Sequence, residues 1–133
     1  MVWEVPMSQA CQGPQKMLLC IDDSPEILEY ERRMLEQSGY IVVTTRSARR
    51  GLKLTKMYSF DAVVLDYLMP EMNGHQLAHE IRCLRPGTPV VMFSGSEVPD
   101  ETRQLVNAVV PKAEARRELL PTVARLCDPL MPS

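Results

Sequence analysis

The sequence predicts an α/β domain whose parallel sheet is covered by helices on both faces. Three observations predict it. Five short apolar runs recur along the chain, with segments of helical periodicity between them. The runs are almost continuously apolar, as strands buried on both faces must be. Polar, chemically useful residues collect just past the C-terminal ends of those runs, where open parallel sheets bind their ligands.

In chain order, Met1 to Gln15 carries two prolines, a glycine and mixed polar residues and reads as a tail, in which only Trp3 and Val5 offer packing surface. Met7 and Met17 are in-frame methionines, so the start residue is itself open. The first strand is Met17-Leu18-Leu19-Cys20-Ile21, followed by Asp22-Asp23. Ser24 is a good N-cap with Pro25 at the first helical position; Ile27, Leu28, Met34 and Leu35 form the apolar face, and Gly39 ends the helix. The second strand is Tyr40 to Thr44, and a weaker helix runs from about Ser47 to Met57.

The third strand, Ala62 to Leu65, drives into Asp66. A Met69-Pro70 turn follows, and a third helix opens near Gly74, buries Leu77, Ile81 and Leu84, and stops at Pro86-Gly87. The fourth strand is Pro89 to Phe93, followed by Ser94-Gly95-Ser96. A short helix fits within Asp100 to Val106. The fifth strand, Ala108-Val109-Val110, passes through Pro111 into Lys112, and a last helix runs to about Cys127. Pro121 lies inside that final pattern, so the helix is expected to begin late or to kink. The folded domain is therefore expected over residues 16–127, with 128–133 as a short tail and no internal repeat.

The bulk properties narrow the function. A chain of 133 residues suits one domain with one sizeable core. A net charge of −2 argues against nucleic-acid binding, which shows a basic stripe. The nearest thing to one, Arg46, Arg49, Arg50, Lys53 and Lys56, reads as a solvated helix face. No apolar run is long enough to span a bilayer, and the first residues lack the charged start and apolar core of a secretory signal; a cytoplasmic protein is expected. Cys11, Cys20, Cys83 and Cys127 form no CxxC, and three of them sit in apolar patterns, so buried reduced thiols are expected.

The strand ends carry the chemistry. Asp22, Asp23 and Asp66 around one point repel each other and call for a cation, and an oxygen-only set with no His or Cys suits Mg²⁺. Lys112 adds a point positive charge able to hold a phosphoryl oxygen, Ser94 adds a hydroxyl, and Gly95 lets backbone approach closely. Charge balance then favours an aspartate nucleophile that accepts a phosphoryl group.

With these residues in place, the chain resembles the receiver domains of two-component response regulators, from about Lys16 to Cys127. The matching motifs are Asp22-Asp23, Asp66 with Met69-Pro70 and Gly74, Ser94-Gly95, and Lys112. The resemblance implies a doubly wound, flavodoxin-like sheet of strand order 2-1-3-4-5. It implies phosphorylation of Asp66 by a histidine kinase or a histidine phosphotransfer protein. It also implies Mg²⁺ held by Asp22, Asp23, Asp66 and the backbone carbonyl of Leu68, with Ser94 following the phosphoryl group and Lys112 pairing with it. In this reading the protein is a phosphoacceptor rather than an enzyme, of the stand-alone type, and signals to an unidentified downstream effector by docking. Homodimer formation stays open.

Four features depart from, or individualise, the family pattern. Val109 stands where the family has a Tyr or Phe that reports phosphorylation, and a β-branched valine has no ring to swing inward. Ala113 follows Lys112 where a proline is usual, while Pro111 precedes it. Ser94 and Lys112 are separated by only 18 positions, shorter than usual by about four residues, one helical turn, so the fourth helix is expected to be short. Leu68, two residues past Asp66, cannot hydrogen-bond an attacking water, which predicts slow self-dephosphorylation.

Other chemistries fit these residues less well. His75 and His79 are four apart, as in zinc-binding helices, but Gln76 occupies the place of the zincin Glu, and an exposed polar face is expected for both. An aspartate-nucleophile phosphatase needs an acid/base aspartate where Leu68 stands. The remaining alternative is a receiver-like interaction module that no longer uses phosphate.

Overall fold

The computed structural model describes residues 15–128. Five parallel strands form one sheet: β1 (Met17–Ile21), β2 (Ile41–Thr45), β3 (Ala62–Leu65), β4 (Val90–Ser94) and β5 (Ala108–Pro111), in the order β2-β1-β3-β4-β5. Between them run α1 (Pro25–Glu36), α2 (Ala48–Met57), α3 (Gly74–Leu84) and α4 (Asp100–Arg103); a 3₁₀ turn at Lys112–Glu114 leads into α5 (Ala115–Cys127). The chain leaves β1 toward β2, then crosses back to β3 on the other side. That reversal opens a crevice beyond the C-terminal ends of β1 and β3. The register pairs Ile21 with Leu65, so both strands end level, and Asp22 and Asp66 follow at the same height.

Alternate residues of each strand supply two cores. Leu18, Cys20, Val64, Val91 and Phe93 pack under α1 and α5 with Leu28, Leu35, Leu119 and Val123. Leu19, Ile21, Val63, Leu65 and Met92 pack under α2, α3 and the α4 segment with Ala48, Leu77, Ala78, Ile81 and Val98. Each such Leu, Ile or Val contributes about 1.5–3 kcal/mol when fully buried, which fixes the strand ends that hold the polar residues.

The caps follow the sequence. Ser24 Oγ accepts from the N–H of Ile27 at 3.3 Å, with Pro25 opening α1. Ser47 Oγ accepts from Arg50 N–H at 3.1 Å, and Asn73 Oδ1 from Gln76 N–H at 2.9 Å. Gly39, past the end of α1, has φ of 96°, a left-handed turn suited to glycine. Gly74 is required for space: a Cβ there would lie 2.6 Å from Tyr67 Cα and 2.7 Å from the Asp66 carbonyl.

Several expectations are corrected. β2 and β4 each lie one residue later than predicted, at Ile41–Thr45 and Val90–Ser94. Leu84, expected in the core, is exposed, as the last residue of α3. α5 begins at Ala115 and runs on through Pro121, so it does not start late. Pro121 and Arg117 are both exposed, so water can satisfy the carbonyl four residues back that loses its N–H partner. α4 is a four-residue turn, shorter even than the predicted span; Val98 and Thr102 anchor it to the core, and the chain then turns through 104–106. No helix among the described residues is long and apolar enough to cross a membrane. The N-terminal tail with Cys11, and the tail beyond 128, lie outside the described residues.

Candidate functional site

Asp22, Asp23 and Asp66 meet in the crevice, with one carboxylate oxygen of each lying within 4.8 Å of the others. Backbone ladders position them. Asp66 N–H donates to the Ile21 carbonyl at 3.0 Å and Asp22 N–H to the Thr45 carbonyl at 3.2 Å, extending the sheet by one residue on each strand. Asp22 Oδ1 accepts from Ser24 N–H at 2.9 Å, which locks its side chain across the turn into α1. Asp22 and Asp66 are buried, and Asp23 is half-buried.

Lys112 reaches this cluster from the end of β5. Its Nζ lies 2.8 Å from Asp22 Oδ2 and 3.4 Å from Asp66 Oδ2, and 6.0 Å from the centre of the Phe93 ring. The lysine is thus delivered to the site with Pro111 before it and Ala113 after it, and the described residues contain no cis peptide bond. Ser94 is buried at the end of β4, its Oγ accepting from Ser96 N–H at 3.0 Å. Gly95 has no steric need to be glycine on the protein side: a Cβ would only touch Lys112 Cδ at 3.7 Å.

The electrostatics are those of an under-neutralised anion cluster. Burial and the charge of Asp22 push the Asp66 carboxyl above its ordinary range, and Lys112 only partly offsets this. Burial alone would lower the Lys112 ammonium, but its contact with Asp22 and the two negative charges raise it overall, so it stays charged. Asp22 Oδ2 is buried with no aligned hydrogen-bond donor, although Lys112 stands beside it as a point charge. Three carboxylates against one ammonium, with an unmatched buried oxygen and no nitrogen or sulfur ligand in the set, fit a hard divalent cation such as Mg²⁺.

The departures from the family pattern have structural counterparts. Val109 is half-buried and packs on the core beneath α2 to α4. The side chain of Leu68 is exposed and apolar, so the position two beyond Asp66 presents no hydrogen-bonding group.

The sequence pattern did not single out Glu31 or Glu71, and it placed His75 otherwise than the structure does. Glu31 is 1% exposed on the sheet-facing side of α1, with no partner for Oε1 among the described residues. Burial first, then the charges of Asp22 and Asp66, hold its carboxyl well above the ordinary range, with Lys112 opposing. The helical period places 28, 31 and 35 on one face, so spacing alone was the signal. Glu71 ties the loop that follows Asp66 to α2, accepting from Ser47 Oγ at 2.8 Å and from Arg49 N–H at 3.4 Å. His75, expected to be exposed, is half-buried, its Nδ1 lying 2.8 Å from Oγ1 of the buried Thr102, because the short α4 folds against the start of α3. His79 is exposed as expected.

Two of the three described thiols are buried, Cys20 and Cys127, whereas Cys83 is exposed because it lies on the outer side of α3. Burial pushes the Cys127 thiol up to about 11; burial, then Glu31 and Asp22, raise that of Cys20.

A parallel sheet of order 2-1-3-4-5 with an aspartate-and-lysine pocket at its switch point defines the class: a doubly wound, flavodoxin-like α/β domain. The response regulator receiver domain model matches residues 18–123, and the chain belongs to that family. It is 38% identical over 84 residues to the transcriptional regulatory protein GlrR of Escherichia coli, covering 62% of this chain and 19% of that protein. It is 30% identical over 89 residues to the cell cycle response regulator CtrA of Brucella ovis, covering 66% of this chain and 38% of that one. The chain thus spans well under half the length of these relatives. Among solved structures, the response regulator TrrA of Thermotoga maritima, in complex with Mg²⁺-BeF, superposes with a TM-score of 0.80 at 27% identity, covering 84% of this chain and 99% of that one. A CheY-like receiver domain of Methanospirillum hungatei gives 0.81 at 27% identity, covering 87% and 96%.

Proposed function

We propose that Asp66 accepts a phosphoryl group from a histidine kinase or a histidine phosphotransfer protein, and that the domain signals through protein contacts. The supporting observation is the placement of Asp66, at the open end of β3, beside two further carboxylates and 3.4 Å from the Lys112 ammonium. An Asp66 carboxylate oxygen attacks phosphorus, the phosphorus–nitrogen bond to the donor imidazole breaks, and the imidazole leaves with a proton from solvent. Lys112 holds a non-bridging phosphoryl oxygen, exchanging part of its contact with Asp66 for one with the new anion. The Ser94 hydroxyl turns from the Ser96 N–H to a second such oxygen. Asp22, Asp23, Asp66 and the Leu68 carbonyl would hold Mg²⁺, which when bound neutralises charge on the transferring group.

The exit of the signal differs from the family's aromatic switch. With Val109 in the switch position and a four-residue α4, we propose that the Ser94 displacement is passed through Val98 and Thr102 of the α4 segment to a downstream effector. In this reading the exchange takes place in the cytoplasm. Leu68 leaves a hydrolytic water without a polar guide, so the phosphoryl group is long-lived.

Incubation with Mg²⁺ and a small-molecule phosphoryl donor, followed by intact mass measurement, tests the proposal. A gain of one phosphoryl group, dependent on Mg²⁺ and lost in Asp66→Asn, is expected. No gain with any donor supports instead the phosphate-independent interaction module that Val109 and the reduced α4 would suit.

A further inference from the structure

We propose that His79 and Cys83 form a chelating pair for an ion of the zinc class, on the outer face of α3 and distinct from the carboxylate site. The two residues are one helical turn apart, and Cys83 Sγ lies 3.9 Å from His79 Nε2. Two ligands on a tetrahedral ion, with Zn–S near 2.3 Å and Zn–N near 2.05 Å, lie roughly 3.6 Å apart. A closure of a few tenths of an ångström, within reach of side-chain rotation, brings the observed pair to that spacing.

Two neighbouring side chains are engaged elsewhere. Arg82 turns away to donate to the Leu105 carbonyl at 3.2 Å, and His75 is held against Thr102. Both His79 and Cys83 are exposed, so an ion can enter without displacing the core. Exposure of a cysteine is itself unusual, since free thiols behave as small hydrophobes and favour burial.

The donor set selects the ion. One imidazole nitrogen and one thiolate favour Zn²⁺ and related borderline ions over Mg²⁺, which prefers the oxygen-only cluster at the other site. On binding, the Cys83 thiol gives its proton to solvent, Zn–S and Zn–N bonds form, and all but two of the water ligands of the aqueous ion leave as it becomes tetrahedral. The two remaining positions point outward and keep water. The chelate also clips one turn of α3, so the ion stabilises the folded chain by linkage.

The test titrates Co²⁺ and Zn²⁺ into the full chain with Mg²⁺ in millimolar excess to occupy the carboxylate cluster. One equivalent of Co²⁺ is expected to give a thiolate-to-metal charge-transfer band. That band disappears in Cys83→Ser, and affinity falls roughly tenfold or more in His79→Ala. Cys83→His keeps a two-nitrogen chelate, so it retains binding without the band and controls for folding of the altered surface. Zn²⁺ should raise the Tm of the parent and of Cys83→His but not of Cys83→Ser. Absence of the band in the parent, or its persistence in Cys83→Ser, overturns the site.

Discussion

Glu31 is a carboxyl buried in an apolar face, and its removal should strengthen the domain. It lies between Leu28 and Leu35 on α1, one Oε1 has no partner among the described residues, and burial with the charges of Asp22 and Asp66 favours its protonated form. An unmatched buried polar group costs about 1–3 kcal/mol. Glu31→Leu removes it at nearly constant volume, so a gain of about 1–3 kcal/mol is expected at neutral pH. At this chain length that is roughly 3–5 °C in Tm for each kcal/mol.

The pH dependence has a definite sign. The folded-state pKa lies above the unfolded value of about 4.5. The native state therefore holds a proton that the unfolded chain has already released. Stability attributable to Glu31 is fully present below 4.5 and falls as pH rises toward and through the folded pKa, by roughly 1.4 kcal/mol per pH unit between the two. Glu31→Gln keeps the shape and does not titrate. Urea unfolding of the parent, Glu31→Gln and Glu31→Leu across pH 5 to 8 should show the parent losing ground to both variants as pH rises. Parallel curves for the parent and Glu31→Gln, or a Glu31→Leu protein less stable than the parent at neutral pH, would refute the reasoning.

Three further outcomes are expected. Gly74→Ala drives a Cβ into the Tyr67 and Asp66 backbone, so it should cost about 1–3 kcal/mol in urea unfolding and slow phosphorylation as the acceptor loop shifts. Lys112→Met leaves Asp22 and Asp66 without their shared cation; a loss of up to about 3 kcal/mol, the low end for a buried pair because the ammonium is partly exposed, is expected without Mg²⁺, most of it recovered at millimolar Mg²⁺, and an unchanged midpoint without metal would contradict the ion-pair geometry. Leu68→Asn supplies a group able to orient water, so loss of phosphate followed by intact mass should be faster than in the parent.

The fold was legible because five apolar runs, each ended by a polar residue or turn, admit little but a parallel sheet, and Ser24, Ser47 and Asn73 mark helix starts through hydrogen bonds made within four residues. Asp22, Asp23, Asp66 and Lys112 were legible for a related reason: each lies within two residues of a strand's end, so knowing the strand fixes its place. What failed depended on contacts between distant segments. His75 looked solvent-facing on α3 alone, and only the docking of α4 brings Thr102 over it. Cys83 lies on the outer side of α3, and Leu84 shares the apolar face but, as the last residue of the helix, has no following turn to cover it. Glu31 was passed over because charge argued for solvent while its period argued for the core, and the period prevailed.

The most direct test of the central claim is to locate the phosphoryl group itself. After incubation with Mg²⁺ and a phosphoryl donor, borohydride reduction of the acyl phosphate and peptide mass analysis should place a single reduced residue at position 66. Modification at any other residue, or an unmodified position 66 in a chain that has gained phosphate, would contradict Asp66 as the acceptor.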